Sequence, residues 1–130
     1  MLTVSNCGMT GTTTAKSYSG VITLHVSGTL FGSPSSETDP FYNNFPNPIQ
    51  CPDCFVYNRV SQGTCECVGS CPATQVGVNG VTGYILYNPT HAYMLTLDLG
   101  SAPPERLNFS YGDCGCGDNV GNWTLSIDCP

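Results

Sequence analysis

The chain has 130 residues, enough for one domain with a core of its own. Charged side chains make up only 9% and apolar ones 40%, which excludes disorder and points to an extracellular or surface β protein rather than a cytosolic enzyme. Three cations, Lys16, Arg59 and Arg106, stand against nine acids, for a net charge of −6. That leaves no basic footprint for nucleic acid and no attraction to an anionic membrane, and no apolar run approaches the ~20 residues of a membrane span.

In chain order, residues 1–7 lack the basic and then apolar segments of a signal peptide. Either a leader has been removed, or the protein leaves the cell without one, as a virion component released by lysis would. Residues 18–26 predict a strand with Ile22, Leu24 and Val26 on one face and Val21, Thr23 and His25 on the other. Residues 28–48 read as a long polar loop. Within it, Asp39-Pro40-Phe41-Tyr42 and Phe45 set aromatics beside an acid, either to stack on sugar rings or to cover the end of the domain.

Residues 55–60 predict a second strand. Asn79-Gly80 favours a hairpin turn after residues 76–78. Residues 84–87 predict a short strand stopped by Asn88-Pro89, with His91 just beyond the turn. Residues 93–99 alternate cleanly, with Tyr93, Leu95, Leu97 and Leu99 on one face. A proline loop follows over 101–105. Leu107, Phe109 and Tyr111 alternate in one C-terminal strand, and Trp123, Leu125 and Ile127 in another, with Trp123 read as core. The expected fold is an all-β, jelly-roll-like β-sandwich of seven to nine short strands with a cysteine-rich loop, in a single domain over residues 1–130.

Nine cysteines favour an oxidising destination, and the odd number leaves at least one outside any intrachain disulfide. Cys7 and Cys129 lie near the two ends, and side-by-side terminal strands would bring them into a disulfide. Five more fall between Cys51 and Cys71. A disulfide-stapled loop is favoured there. Zinc on Cys51, Cys54, Cys65 and Cys67 is the alternative, because Cys-x-x-Cys is a common ligand hairpin.

The loop between the last two strands carries the strongest chemical signal. Asp113, Asp118 and Asn119 stand among Gly115, Gly117 and Gly121. Two carboxylates, an amide and turned-in carbonyls are the oxygen set that calcium prefers. An Asx-turn network is the competing reading. The triplets at Asn108 and Asn122 fit N-glycosylation.

Two segments together resemble the small calcium-dependent galactophilic lectins of bacteria, the PA-I-like family. One is residues 21–32, Val-Ile-Thr-Leu-His-Val-Ser-Gly-Thr-Leu-Phe-Gly. The other is Tyr111-Gly112-Asp113 followed by Asp118-Asn119-Val120-Gly121-Asn122-Trp123-Thr124-Leu125-Ser126-Ile127. The resemblance implies a β-sandwich jelly roll with calcium held by Asp113, Asp118 and Asn119, assisted by the carbonyls of Cys116 and of a residue near Gly32. The family's sugar-contacting His-Pro-x-Gln has its counterpart in Asn47-Pro48-Ile49-Gln50, which lacks the histidine. Gln50, Asn47 and Tyr42 are the candidate ligand contacts.

No nucleophile motif accompanies His25 or His91, and no catalytic site is expected. The expectation is a non-catalytic, calcium-stabilised adhesion or carbohydrate-binding module on an extracellular assembly, such as a phage virion fibre, baseplate or decoration protein. Its partners would be cell-surface glycans or neighbouring subunits, in a homo-oligomer or larger assembly. A purely structural subunit of a virion or extracellular filament is the alternative.

Overall fold

The computed structural model describes residues 1–4, 11–33, 36–43, 45, 47–51, 54–62, 74–75, 86–112 and 119–129. In chain order the strands are β1 (Leu2–Val4), β2 (Thr12–Tyr18), β3 (Val21–Ser27), β4 (Leu30–Ser33), β5 (Ser36–Thr38), β6 (Tyr42–Asn43), β7 (Ile49–Gln50), β8 (Phe55–Arg59), β9 (Thr74–Gln75), β10 (Ala92–Asp98), β11 (Glu105–Tyr111), β12 (Val120–Gly121) and β13 (Trp123–Asp128). The only helical turn among the described residues is a 3-10 turn at Val60–Gln62. No helix among them is long and apolar enough to cross a membrane.

Three antiparallel sheets form, in the orders β1-β13-β3-β10, β2-β11-β8-β9 and β12-β4-β5-β6-β7. The period-two strands bury one face, as their alternation requires. Ile22, Leu24 and Val26 of β3 are at most 1% exposed, with Tyr93, Leu95 and Leu97 of β10 beside them. Leu107 and Phe109 of β11 and Phe55 and Tyr57 of β8 fill the core from the second sheet. Trp123 ties the two layers together, with its ring edge-on to Phe55 at 5.8 Å and to Tyr111 at 5.6 Å. The fold is therefore an all-β sandwich, as expected. The C-terminal strands 105–111 and 123–128 lie in opposite layers, so the loop between them crosses from sheet to sheet.

The third sheet is a bent continuation of the first. β3 pairs β13 with Ser27 opposite Thr124, and β4 pairs β12 with Leu30 opposite Gly121. The two pairs lie three residues apart on each strand, so the same register continues through the bend. Glycine makes the bend possible on both strands. Gly28 has φ +107° and Gly121 has φ +89°. A Cβ on Gly121 would meet the Leu30 Cα and the Thr29 carbonyl at 3.2 Å. Both positions need the backbone freedom that only glycine offers at low cost.

Several expectations change. The segment 28–48 is not simply a polar loop, for it contains β4, β5 and β6. The described residues hold thirteen strands rather than seven to nine, several of them only two residues long. β2 lies where no strand was expected, because Thr14 is its only fully buried side chain. Leu86 and Tyr87 are irregular, and Leu86 is 76% exposed. Residues 76–80 and 84–85 lie outside the described set.

Cys51 and Cys54 form a disulfide, which is the stapled-loop reading for that pair. Zinc at Cys51 and Cys54 would need this bond reduced, and Cys65 and Cys67 lie outside the described residues. Cys129 is a free, exposed thiol, against the expected bridge to Cys7, which also lies outside them. The register gives the physical reason. β1 runs antiparallel to β13 from Leu2 opposite Leu125 to Val4 opposite Trp123. The chain thus leaves β1 six residues up the strand from Cys129 (129 − 123), roughly 20 Å away at ~3.4 Å per residue.

Candidate functional site

The bend in the ribbon brings together two of the segments on which calcium ligands are expected. Val120 pairs with Phe31, and Asn119 and Gly32 are the residues next to that pair in the chain. These two positions are far apart in sequence, and the resemblance assigned both to one ion. A side-chain amide oxygen and a main-chain carbonyl are suitable donors for a hard cation. Asp113, Cys116 and Asp118 lie outside the described residues. Among the described residues no group of three or more His, Cys, Asp or Glu side chains is gathered for a metal. Beside Asn119 and Gly32, Val120 is 65% exposed and Phe31 39%.

The expected ligand contacts divide. Gln50 is exposed and pairs across the sheet with Tyr42, and Asn47 is exposed just before β7. Tyr42 itself is 2% exposed, with its ring against Tyr87 at 5.3 Å. Phe41 is also buried, packed edge-on to Tyr93 at 4.9 Å. These two aromatics cover the end of the sandwich and are not a stacking platform. The rings left half-buried are Phe45 and Tyr87.

At the same end lies a cluster with no sequence signal. Asp39 is completely buried. Its Oδ1 accepts the backbone amides of Phe41 at 2.9 Å and Tyr42 at 2.7 Å, an Asx turn made by Asp-Pro-Phe-Tyr. Its Oδ2 accepts the Tyr93 hydroxyl at 2.7 Å and His91 Nδ1 at 2.9 Å. Four donors on one carboxylate are what a buried charge needs in order to persist.

His91 reaches this position through a second turn. Its amide donates to the Asn88 carbonyl at 2.8 Å, with Pro89 in the corner position of the turn. Asn88 Oδ1 accepts the Thr90 amide and hydroxyl, and Asn88 Nδ2 donates to the Ala92 carbonyl. His91 then takes φ +57°, the only non-glycine residue with positive φ among those described. Its carbonyl accepts the Gly28 amide at the bend, at 3.0 Å. The turn at 88–91, the turn at 39–42 and the bend at Gly28 are thereby locked together.

The other histidine sits elsewhere. His25 lies on the outer face of the first sheet, as its pattern implied, and its Nε2 meets Asp128 Oδ2 at 2.8 Å in an exposed pair. Arg59 and Arg106 spend guanidinium donors on the carbonyls of Leu99 and Thr14.

Burial drives the Tyr93 phenol well above its ordinary value, and its hydrogen bond to the Asp39 carboxylate adds to the effect. Burial also raises Tyr57. Both folded values lie above the unfolded value of 10, so the fold favours the neutral phenols. Their contribution is therefore complete below about pH 10 and is lost as pH rises further and the unfolded chain ionises. Thermal unfolding scanned against pH is expected to give a falling Tm above about pH 10, with a shallower fall in Tyr93→Phe. An identical slope in the variant would remove Tyr93 from this account.

Comparison of the chain with family models, with curated proteins and with solved structures gives no match.

Proposed function

We propose that this protein is a non-catalytic adhesion module that binds carbohydrate, with calcium organising the loop that joins the two layers of the sandwich. The observation that carries the reading is the pairing of Val120 with Phe31, which sets the segments holding Asn119 and Gly32 side by side at the end of the bent ribbon. Asn119 Oδ1 and the Gly32 carbonyl would hold the ion together with Asp113, Asp118 and the Cys116 carbonyl. Bound calcium would offset the charge of two carboxylates in one short loop and offer coordination positions to sugar hydroxyls. The scarcity of cations, two of them engaged with backbone carbonyls, supports a partner other than nucleic acid or an anionic membrane. An extracellular or virion surface suits the low charge and the Cys51–Cys54 disulfide.

Two measurements test this. Calcium at a hundredfold excess over its dissociation constant should stabilise the fold by about 2.7 kcal/mol. Chelator should lower Tm accordingly, and Asp113→Ala should abolish that sensitivity. A multimerised sample on a glycan array should show calcium-dependent retention, because single shallow sites are weak and gain strength by avidity. A melting curve that ignores chelator would end the calcium part of the reading, and an array without retention would end the carbohydrate part.

One observation favours a purely structural subunit instead. Phe31 and Val120 face each other directly across the ladder and are both exposed, as a contact for a neighbouring subunit would be. Self-association at micromolar concentration that Val120→Asp abolishes would support this second reading.

A further inference from the structure

We propose that His91, Phe45 and Tyr87 form a sugar-binding subsite, in which His91 Nε2 takes a hydrogen bond from a hydroxyl while the two rings pack against the sugar's C–H face. This rests on the carbohydrate-binding reading above and assigns it a place in the fold distinct from the calcium loop.

Three observations lead here. First, the imidazole is oriented by a group that ligand cannot reach. Asp39 is completely buried and, as a carboxylate, only accepts, so the neutral ring carries its proton on Nδ1 and leaves Nε2 as an acceptor. The hydrogen bond of the His91 side chain among the described residues is made by Nδ1, and the side chain is 22% exposed. Second, His91 is held at φ +57°, a conformation that costs a β-carbon-bearing residue energy and is found most often where position matters more than stability. Third, the ring is framed. Phe45 lies 4.7 Å from it and Tyr87 5.9 Å, with 5.6 Å between those two. All three rings are half-buried, so each keeps part of its surface in solvent.

An acceptor fixed by a buried carboxylate, beside two partly open aromatic faces, is the chemistry that recognises a hexose. The apolar C–H face of the sugar covers the rings, and an equatorial hydroxyl donates to the nitrogen. A wholly structural latch would require only that His91 satisfy Asp39. It would not require two partly open rings beside the imidazole.

The chain supplies its own control. It has two histidines, and His25 lies on the outer face of the first sheet, bound to Asp128. Imidazole nitrogen resonances of the ¹⁵N-labelled whole protein would be followed while lactose, N-acetyllactosamine or methyl α-D-mannopyranoside is added to millimolar concentration, with calcium present. The expected result is a saturable shift of His91 Nε2 with at least one of these sugars and no shift at His25. Tyr87→Ala, checked for native His91 resonances, should weaken that sugar about tenfold. Sugar retained on the array by wild type, but no movement at His91 with any of the three and unchanged retention by Tyr87→Ala, would overturn the subsite and leave the carbohydrate reading standing. No retention by wild type would overturn both.

Discussion

Replacing Asp39 with alanine is expected to lower the unfolding free energy by about 3–5 kcal/mol, among the largest effects available in this chain. The carboxylate is the common acceptor of two backbone amides, a phenol and an imidazole. Its loss strands the Phe41 and Tyr42 amides and the Tyr93 hydroxyl in a place without water. Each orphaned group costs about 1–3 kcal/mol, eased where His91 rehydrates at the surface. Asp39→Asn should fall in between, because its Oδ1 still receives the two amides while its amide group opposes two donors. Urea denaturation of both variants measures this, and a loss below about 1 kcal/mol for the alanine would contradict the assigned network.

The second large effect is at Trp123. The indole is completely buried between Phe55 and Tyr111, and its Nε1 donates to the Thr38 carbonyl at 3.3 Å. Trp123→Ala is expected to cost about 3–5 kcal/mol through lost burial and the cavity left behind. Trp123→Phe keeps most of the volume and loses the hydrogen bond, so its cost should be smaller, with the bond itself contributing about 1 kcal/mol. Thr38 is the residue before Asp39, so the tryptophan and the carboxylate brace the same turn. The double variant Trp123→Phe, Asp39→Asn should therefore depart from the sum of the single effects. Strict additivity would show that the two anchors act separately.

The long strands were readable in the sequence because burial on one face imposes a period of two. Leu95 and Leu97 in β10, and Leu107 and Phe109 in β11, announce themselves that way, and Trp123 was legible as core for the same reason. β2 was not, because a strand of threonines around one buried Thr14 has no apolar alternation to read. β5 and β6 were lost for a different reason. Two or three residues are too few to show a period, and Asp39-Pro40 reads locally as a turn. The aromatics after that turn were legible as a cluster, with stacking on sugar and covering the end of the domain both left open, and Phe41 and Tyr42 take the second course. Tyr42 packs on Tyr87, which lies forty-five positions downstream (87 − 42), and no local pattern encodes that contact. The Asp39–His91 pair is hidden in the same way, its partners lying fifty-two positions apart. The pairing of Val120 with Phe31, next to Asn119 and Gly32, follows from a ladder register that no spacing rule would have provided.

The pairing of β1 with β13 also sets a clock. Leu2 finds its partner in Leu125, so β1 must wait until β13 has been made before it can dock. β13 is also the strand that joins β1 to β3, which means that the first sheet cannot close until β13 has been made. Until then Val4, Ile22 and Leu24 have no Trp123 or Leu125 to pack against. Non-local pairing of this kind slows folding, because the whole loop must be closed before any contact repays it. The nascent chain is therefore at its most aggregation-prone just before β13 is made, and a polypeptide cut short before Trp123 would emerge with the apolar residues of β1 and β3 still bare.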